Sequence, residues 1–284
     1  MIRPIGRLRS VLFAPAVRSD FIAKLGQYGA DMVVIDCEDA TPAHAKALGR
    51  ENARVLSADV AAVVPVMVRV NSPTTDWFDA DIAEGLNDSL TAVIVPKVES
   101  VVILDHIATT LTKCGLADLG VVVGLETALG VADARQILGH PRVVAGYFGA
   151  EDFIADMGGV RTESNHEVAY ARSRVALAGR LAMVPVVDQV VTDFRDDERF
   201  VREAGEARAM GYSGKLCIHP AQVDLARRGF MPSDAEVERA QRLLRAFEEA
   251  TARGVAAINF EGQMVDAPLA TQARRIIDVA SDSR

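Results

Sequence analysis

Short apolar runs recur along the chain at 10–15, 32–38, 65–71, 92–98, 121–126, 143–149, 184–190 and 214–220. They are rich in Val and Ile and too short for typical helices, so each reads as a buried strand. Amphipathic segments at 43–56, 101–112, 167–181 and 197–210 separate them and read as helices. Strand and helix in alternation predict parallel βαβ units. Eight such units in about 230 residues match a (β/α)8 TIM barrel, and continuous apolar runs suit strands covered on both faces. An open doubly wound sheet is the alternative. No G-x-G-x-x-G follows the first run, which removes one reason to prefer it.

The pattern changes after Pro232. The expected division is a barrel over 1–232 and a C-terminal helix and lid segment over 233–284. Ser233 is a candidate N-cap and Gly254 a candidate stop for one helix. Two short extended pieces around Glu261 and Gly262 follow, then a last helix.

Composition narrows the function. Half of the 284 residues are hydrophobic, enough for a large core, and the formal net charge is -8. An acidic chain is a poor match for nucleic acid, which needs a basic face. No apolar run is long enough to span a membrane, and the short apolar stretch near the N-terminus is needed as a strand, not a signal peptide. Cys37, Cys114 and Cys217 have no metal-ligand spacing and read as small residues in or near the core of a cytoplasmic protein. The segment "GYSGK" precedes a strand instead of opening a helix, so it is not a P-loop.

Charged and polar residues stand at or just past the C-terminal end of every predicted strand. In order they are Arg18; Asp36, Glu38 and Asp39; Arg69 and Asn71; Lys97 and Glu99; Glu126; Glu151 and Asp152; Asp188; and His219. A barrel gathers these ends on one face, where active sites are built. Ionised groups ending apolar strands are costly unless paired, hydrated or metal-bound. Glu126 and Asp152 fall on adjacent strands. Two such carboxylates fit Mg²⁺, which takes one or two and keeps water in its remaining positions, or else a general acid and base. The scarcity of Cys and His at this face disfavours Zn²⁺.

The chain resembles the citrate lyase β-subunit and malyl-CoA lyase family. The likeness is carried by "RSVLFAPAVR", "ADMVVIDCEDA", "VRVN", "VIVPKVES", "GLETALGV", "GYFGAEDFIADMG", "ARSRVALAGR", "GYSGKLCIHPAQV" and "GQMVDAP", in order and nearly end to end. It implies a (β/α)8 barrel with a C-terminal lid, Mg²⁺, and cleavage or formation of a C–C bond in a 3-hydroxyacyl thioester. By that resemblance Glu126 and Asp152 are the metal ligands and Arg69 holds the substrate oxygens. Phe13, Arg18 and Lys24 contact the CoA portion. The backbone amides of Gly149, Ala150 and Glu151 are placed to bind the substrate carboxylate. Asp266 matches the lid aspartate that transfers a proton; from its own surroundings it reads as a helix N-cap, because Ala267, Pro268 and Leu269 follow. Glu38 and Asp39 are expected to pair with neighbours such as Lys97 around the metal; Lys97 could be a Schiff-base lysine of a barrel aldolase, but the resemblance to a metal-dependent family disfavours that. His219 reads as structural.

The chain departs from the family pattern at Ala16, Val17, Ser19, Cys37 and Thr41, all near the mouth of strands one and two. The expected activity is a cytoplasmic, Mg²⁺-dependent lyase of a short acyl-CoA of malyl-CoA or citramalyl-CoA type. Alternatives are a citrate lyase β-subunit acting on an acyl-carrier-protein thioester, a malyl-CoA thioesterase, and a non-enzymatic acyl-CoA binder. The resemblance also implies a homotrimer or a multiple of trimers, with the lid reaching a neighbouring subunit.

Overall fold

The structure, a computed structural model, describes residues 2–281. Its strands are β1 (Ser10–Pro15), β2 (Met32–Asp36), β3 (Val66–Arg69), β4 (Ala92–Val95), β5 (Gly120–Leu125), β6 (Val143–Phe148), β7 (Val186–Asp188) and β8 (Gly214–Cys217). They form a closed parallel barrel in sequence order, with β8 paired back to β1. This is the (β/α)8 barrel that the apolar runs predict; the open sheet is excluded. Among the described residues, 2–227 and 228–281 form separate compact units.

Side chains alternate across each strand. One set fills the barrel: Val11, Met32, Val34, Met67, Ile94, Val122, Ala145, Tyr147, Val187 and Leu216. Continuing the same phase toward the C-terminal ends puts Phe13, Asp36, Arg69 and Glu126 in the top layer of the interior. The site is thus the last layer of the barrel core, with charge substituted for hydrocarbon.

Several strands stop before their apolar runs do. β2 ends at Asp36 and β3 at Arg69, and Lys97 past β4 takes a left-handed φ of 53°. Residues beyond these points leave the ladder to build the mouth.

One strand-end charge faces the other way. Asp188 follows Val187 and therefore faces the helix layer, where it accepts from Arg172 (3.0 and 3.1 Å) and Lys215 (2.8 Å). Lys215 also reaches Glu203 at 3.3 Å, and Arg172, Asp188, Glu203 and Lys215 are almost wholly removed from solvent. Burial alone would push Glu203 up, but the Lys215 charge and bonds from Arg199, Asn165 and Gln189 bring it down to about 2. This network ties β7 and β8 to the helices Ala169–Ala182 and Asp197–Met210. Asp188 is structural, contrary to its place in the series of mouth residues.

In the second unit, Ser233 and Glu236 form a capping box on the helix Asp234–Ala252. β9 (Ile258–Phe260) and β10 (Gln263–Val265) form an antiparallel hairpin. Glu261 and Gly262, between them, both have positive φ, which a tight hairpin turn requires. The final helix is Ala267–Ser281, and Ala240, Leu243, Leu244, Val265, Ala270 and Ala273 form this unit's core. Cys37 and Cys217 are buried as expected, but Cys114 is exposed.

Candidate active site

Arg69 organises the mouth. Register pairs it with Asp36 on β2, and Asp36 accepts from its Nε at 2.7 Å and its Nη2 at 2.6 Å. Its Nη1 lies 3.0 Å from Glu38 Oε2, and its guanidinium lies over the Phe13 ring, 5.1 Å from the centroid. Burial of Asp36 opposes ionisation, but the Arg69 charge and hydrogen bonds, with amides of Glu38 and Ala40, leave its pKa below the usual value. Arginine has five N–H donors, so this clamp orients the group and still leaves donors free for a ligand. Asp39 is peripheral, 3.9 Å from Arg69 and mostly exposed.

The backbone around Glu38 is pinned from several sides. Lys46, itself buried, donates to the carbonyls of Cys37 (2.8 Å) and Glu38 (2.7 Å). Asn71 also donates to the Cys37 carbonyl, and Thr41 to that of Asp36. Glu38 is thereby fixed between Arg69 and Lys97.

Lys97 Nζ joins two carboxylates, Glu38 Oε1 at 2.7 Å and Asp152 Oδ1 at 3.3 Å. Burial would lower its pKa, but the bond to Glu38 and the surrounding acidic charge raise it. A Schiff-base lysine needs a free amine; Lys97 is held as the ammonium.

Glu126 follows the last residue of β5 and is fully buried. Its carboxylate packs against Gly149, where a Cβ would stand 2.6 Å from Glu126 Cγ and 2.9 Å from Oε1. Only glycine allows this approach. No cation among the described residues lies within ion-pair distance of Glu126, and its Oε2 has no hydrogen-bond partner. Burial, then the charge of Glu38, pushes Glu126 up to about 7; Arg69 and the Tyr147 phenol oppose the rise, and Asp152 adds to it. Asp152 is half-buried in the first turn of the helix Ala150–Met157.

The amides at this helix start are not equivalent. Gly149 N–H already donates to the Leu125 carbonyl at 3.3 Å. The amides of Ala150 and Glu151 begin the helix and have no intrahelical carbonyl to reach. The Glu151 side chain turns to Arg161 at 2.9 Å.

A cavity of about 400 Å³ opens beside Arg69. Asp36, Asp39 and Arg69 form a charged wall; Phe13, Val190, Leu216 and Ile218 form an apolar one. Arg18 is exposed, paired with Asp20 at 2.7 Å and stacked on Phe21, and Lys24 is exposed nearby in sequence. His219 stacks on Phe194 with ring centroids 4.6 Å apart. Asp266 belongs to the second unit, immediately before its last helix, and its carbonyl accepts from Ala270 N.

The structure thus gathers Arg69, Glu126, Asp152 and Phe13 around the mouth. Sequence reading missed two residues that bind or border them. Asp36 was noted only as one charge among several, though it grips Arg69. Tyr147, apolar in pattern, lies against Glu126; the signal available was a hydroxyl inside an otherwise hydrocarbon run.

A family model described as HpcH/HpaI aldolase/citrate lyase matches residues 9–220. The chain belongs to that family. A citrate lyase subunit beta-like protein of Deinococcus radiodurans is 48% identical over 282 residues, spanning 98% of this chain and 99% of the relative. A (3S)-malyl-CoA thioesterase of Cereibacter sphaeroides is 32% identical over 263 residues, spanning 91% and 89%. Among solved structures, the CitE protein of Mycobacterium tuberculosis in complex with magnesium, acetoacetate and coenzyme A superposes with a TM-score of 0.83 at 31% identity. That match covers 96% of this chain and all of the other. Family membership therefore spans the barrel that carries the mouth. Among the described residues no helix is long and apolar enough to cross a membrane.

Proposed function

We propose that the chain is a Mg²⁺-dependent carbon–carbon lyase of a short 3-hydroxyacyl-CoA, of malyl-CoA or citramalyl-CoA type. Glu126 carries this reading. A buried carboxylate with one oxygen unpartnered, under the charge of Glu38 and Asp152, is costly unless a cation completes it. The donors are all oxygen, and among the described residues no three His, Cys, Asp or Glu side chains are grouped as a cage. Two carboxylates with room for water and substrate suit Mg²⁺. Glu126 and Asp152 would hold the ion, which would supply Lewis acidity toward the substrate's hydroxyl oxygen. Magnesium and coenzyme A in the related CitE structure support a Mg²⁺-dependent reaction on a CoA ester.

The residues of the chain divide the remaining work. Cleavage breaks C2–C3: the hydroxyl gives up its proton to solvent, its oxygen becomes the 2-oxo group of a 2-oxo acid, and the C2–C3 bonding electrons become the thioester enolate. Arg69, fixed by Asp36 and Glu38, directs its remaining N–H groups at the enolate oxygen, and an arginine cannot lose its charge there. The Ala150 and Glu151 amides hold the substrate carboxylate at the helix start; Gly149 contributes the close approach to Glu126 more than a free donor. The apolar wall at Phe13 takes the thioester arm, with Arg18 and Lys24 toward the CoA phosphates. Asp266 protonates the enolate carbon, and the working form is a homotrimer or a multiple of one; both rest on the family resemblance.

A thioesterase is the second reading, favoured by the likeness to the C. sphaeroides protein. Malyl-CoA, citramalyl-CoA and a citryl thioester on acyl-carrier protein, each incubated with Mg²⁺ and with EDTA, distinguish the readings. A lyase releases a 2-oxo acid from a CoA ester only with Mg²⁺. Release of free CoA and intact hydroxy acid assigns a thioesterase, and turnover only on the carrier protein assigns a citrate lyase subunit.

A further inference from the structure

Tyr147 is buried on β6 with its ring inside the barrel. Register sets Gly124 of β5 opposite it. A Cβ at Gly124 would stand 2.6 Å from the Tyr147 hydroxyl and 3.0 Å from Glu126 Cδ. The phenol therefore reaches into volume that Gly124 leaves empty, and the Glu126 carboxyl group borders that same volume. Neither the Tyr147 hydroxyl nor Glu126 Oε2 closes a hydrogen bond of full geometry.

A buried hydroxyl without a partner is destabilising, and so is a buried carboxylate oxygen without one. Phenylalanine at 147 would fill the barrel equally well and carry no unpaired atom. Stability alone does not account for a hydroxyl here, aimed across a glycine at the least-paired carboxylate of the mouth.

We infer that Tyr147 is a positioning residue: its O–H donates to one carboxylate oxygen of Glu126 and aims the other at the cation. The inference rests on the reading of Glu126 as a Mg²⁺ ligand. Groups that orient metal ligands this way typically change affinity by about 10- to 100-fold when removed. Gly124 is part of the same device, because any side chain there would displace the phenol.

Calorimetric titration of the full chain with MgCl₂, for the native sequence and for Tyr147→Phe, tests this, with thermal melting of both in EDTA. The expected result is a Kd weakened about tenfold or more and a melting temperature that is unchanged or higher. A tyrosine that only filled the barrel would leave Kd unchanged, and that result overturns the inference while the metal site stands. A variant that melts lower, or fails to fold, also overturns it, since the hydroxyl would then be structural. Absence of Mg²⁺ binding by the native chain overturns the metal reading and this inference with it.

Discussion

Replacing Glu126 with glutamine isolates the cost of keeping a carboxylate in the top layer of the barrel. Burial, reinforced by Glu38, moves its pKa from 4.5 to about 7. Between those values the folded chain retains a proton that the unfolded chain has released. Stability therefore falls as pH rises through that window, and the loss is complete above the folded value. A rise of about 2.5 units at ~1.36 kcal/mol each is about 3 kcal/mol. The Glu126→Gln chain has no such titration, and groups common to both proteins largely drop out of the difference. Urea unfolding of metal-free protein in EDTA, followed by fluorescence of Trp77, the single tryptophan, reports on the barrel. From about pH 4.5 to about pH 8 the variant should gain about 3 kcal/mol relative to the native sequence. Saturating Mg²⁺ should shrink the slope in the native chain alone, because the ion binds the ionised folded form. A stability gap that stays constant with pH would refute the burial argument.

Arg69→Lys keeps the charge but loses the fork held by Asp36; kcat should fall about a hundredfold, on the scale of a lost oxyanion donor. A raised KM at native kcat would assign Arg69 to uniform binding instead. Lys215→Met removes a cation from the network behind β7 and β8 and leaves Glu203 and Asp188 short of a partner. Denaturant unfolding should show a loss of about 3 kcal/mol, and an unchanged midpoint would mean the network is dispensable. Asp266→Asn should depress kcat and leave Mg²⁺ affinity and melting temperature as they are; native turnover in that variant would reduce Asp266 to a helix cap.

The barrel was legible because parallel strands covered on both faces must be continuously apolar, and such runs stand out against amphipathic helices. Glu126 was legible as a carboxylate ending a run of buried valines. The tail was equally readable: Ser233 caps the helix as expected, with Glu236 completing a capping box, and Glu261-Gly262 turns the hairpin. What could not be read was the direction of each charge. Asp188 ends a strand of only three residues with apolar neighbours on both phases, so nothing in the run says that it faces the helices. Lys215 stands at the start of its run, where a charge is ordinarily solvated, and is fully buried in the structure. The Asp36–Arg69 clamp depends on the register of β2 against β3, and the meeting of Tyr147, Gly124 and Glu126 on the register of β5 against β6. Register is a property of the closed barrel that a single sequence does not print.

As proposed above, this mouth breaks a carbon–carbon bond and passes the electrons to a thioester enolate. Turnover of malyl-CoA in D₂O with Mg²⁺, with the CoA products read by mass spectrometry, tests it most directly. The enolate must take its new proton from solvent or from a group that has exchanged with solvent. Lyase chemistry gives an acyl-CoA product carrying a single deuterium at the carbon that lost its partner, formed together with a 2-oxo acid and absent in EDTA. Free CoA with intact malate, and no acyl-CoA product, would contradict it.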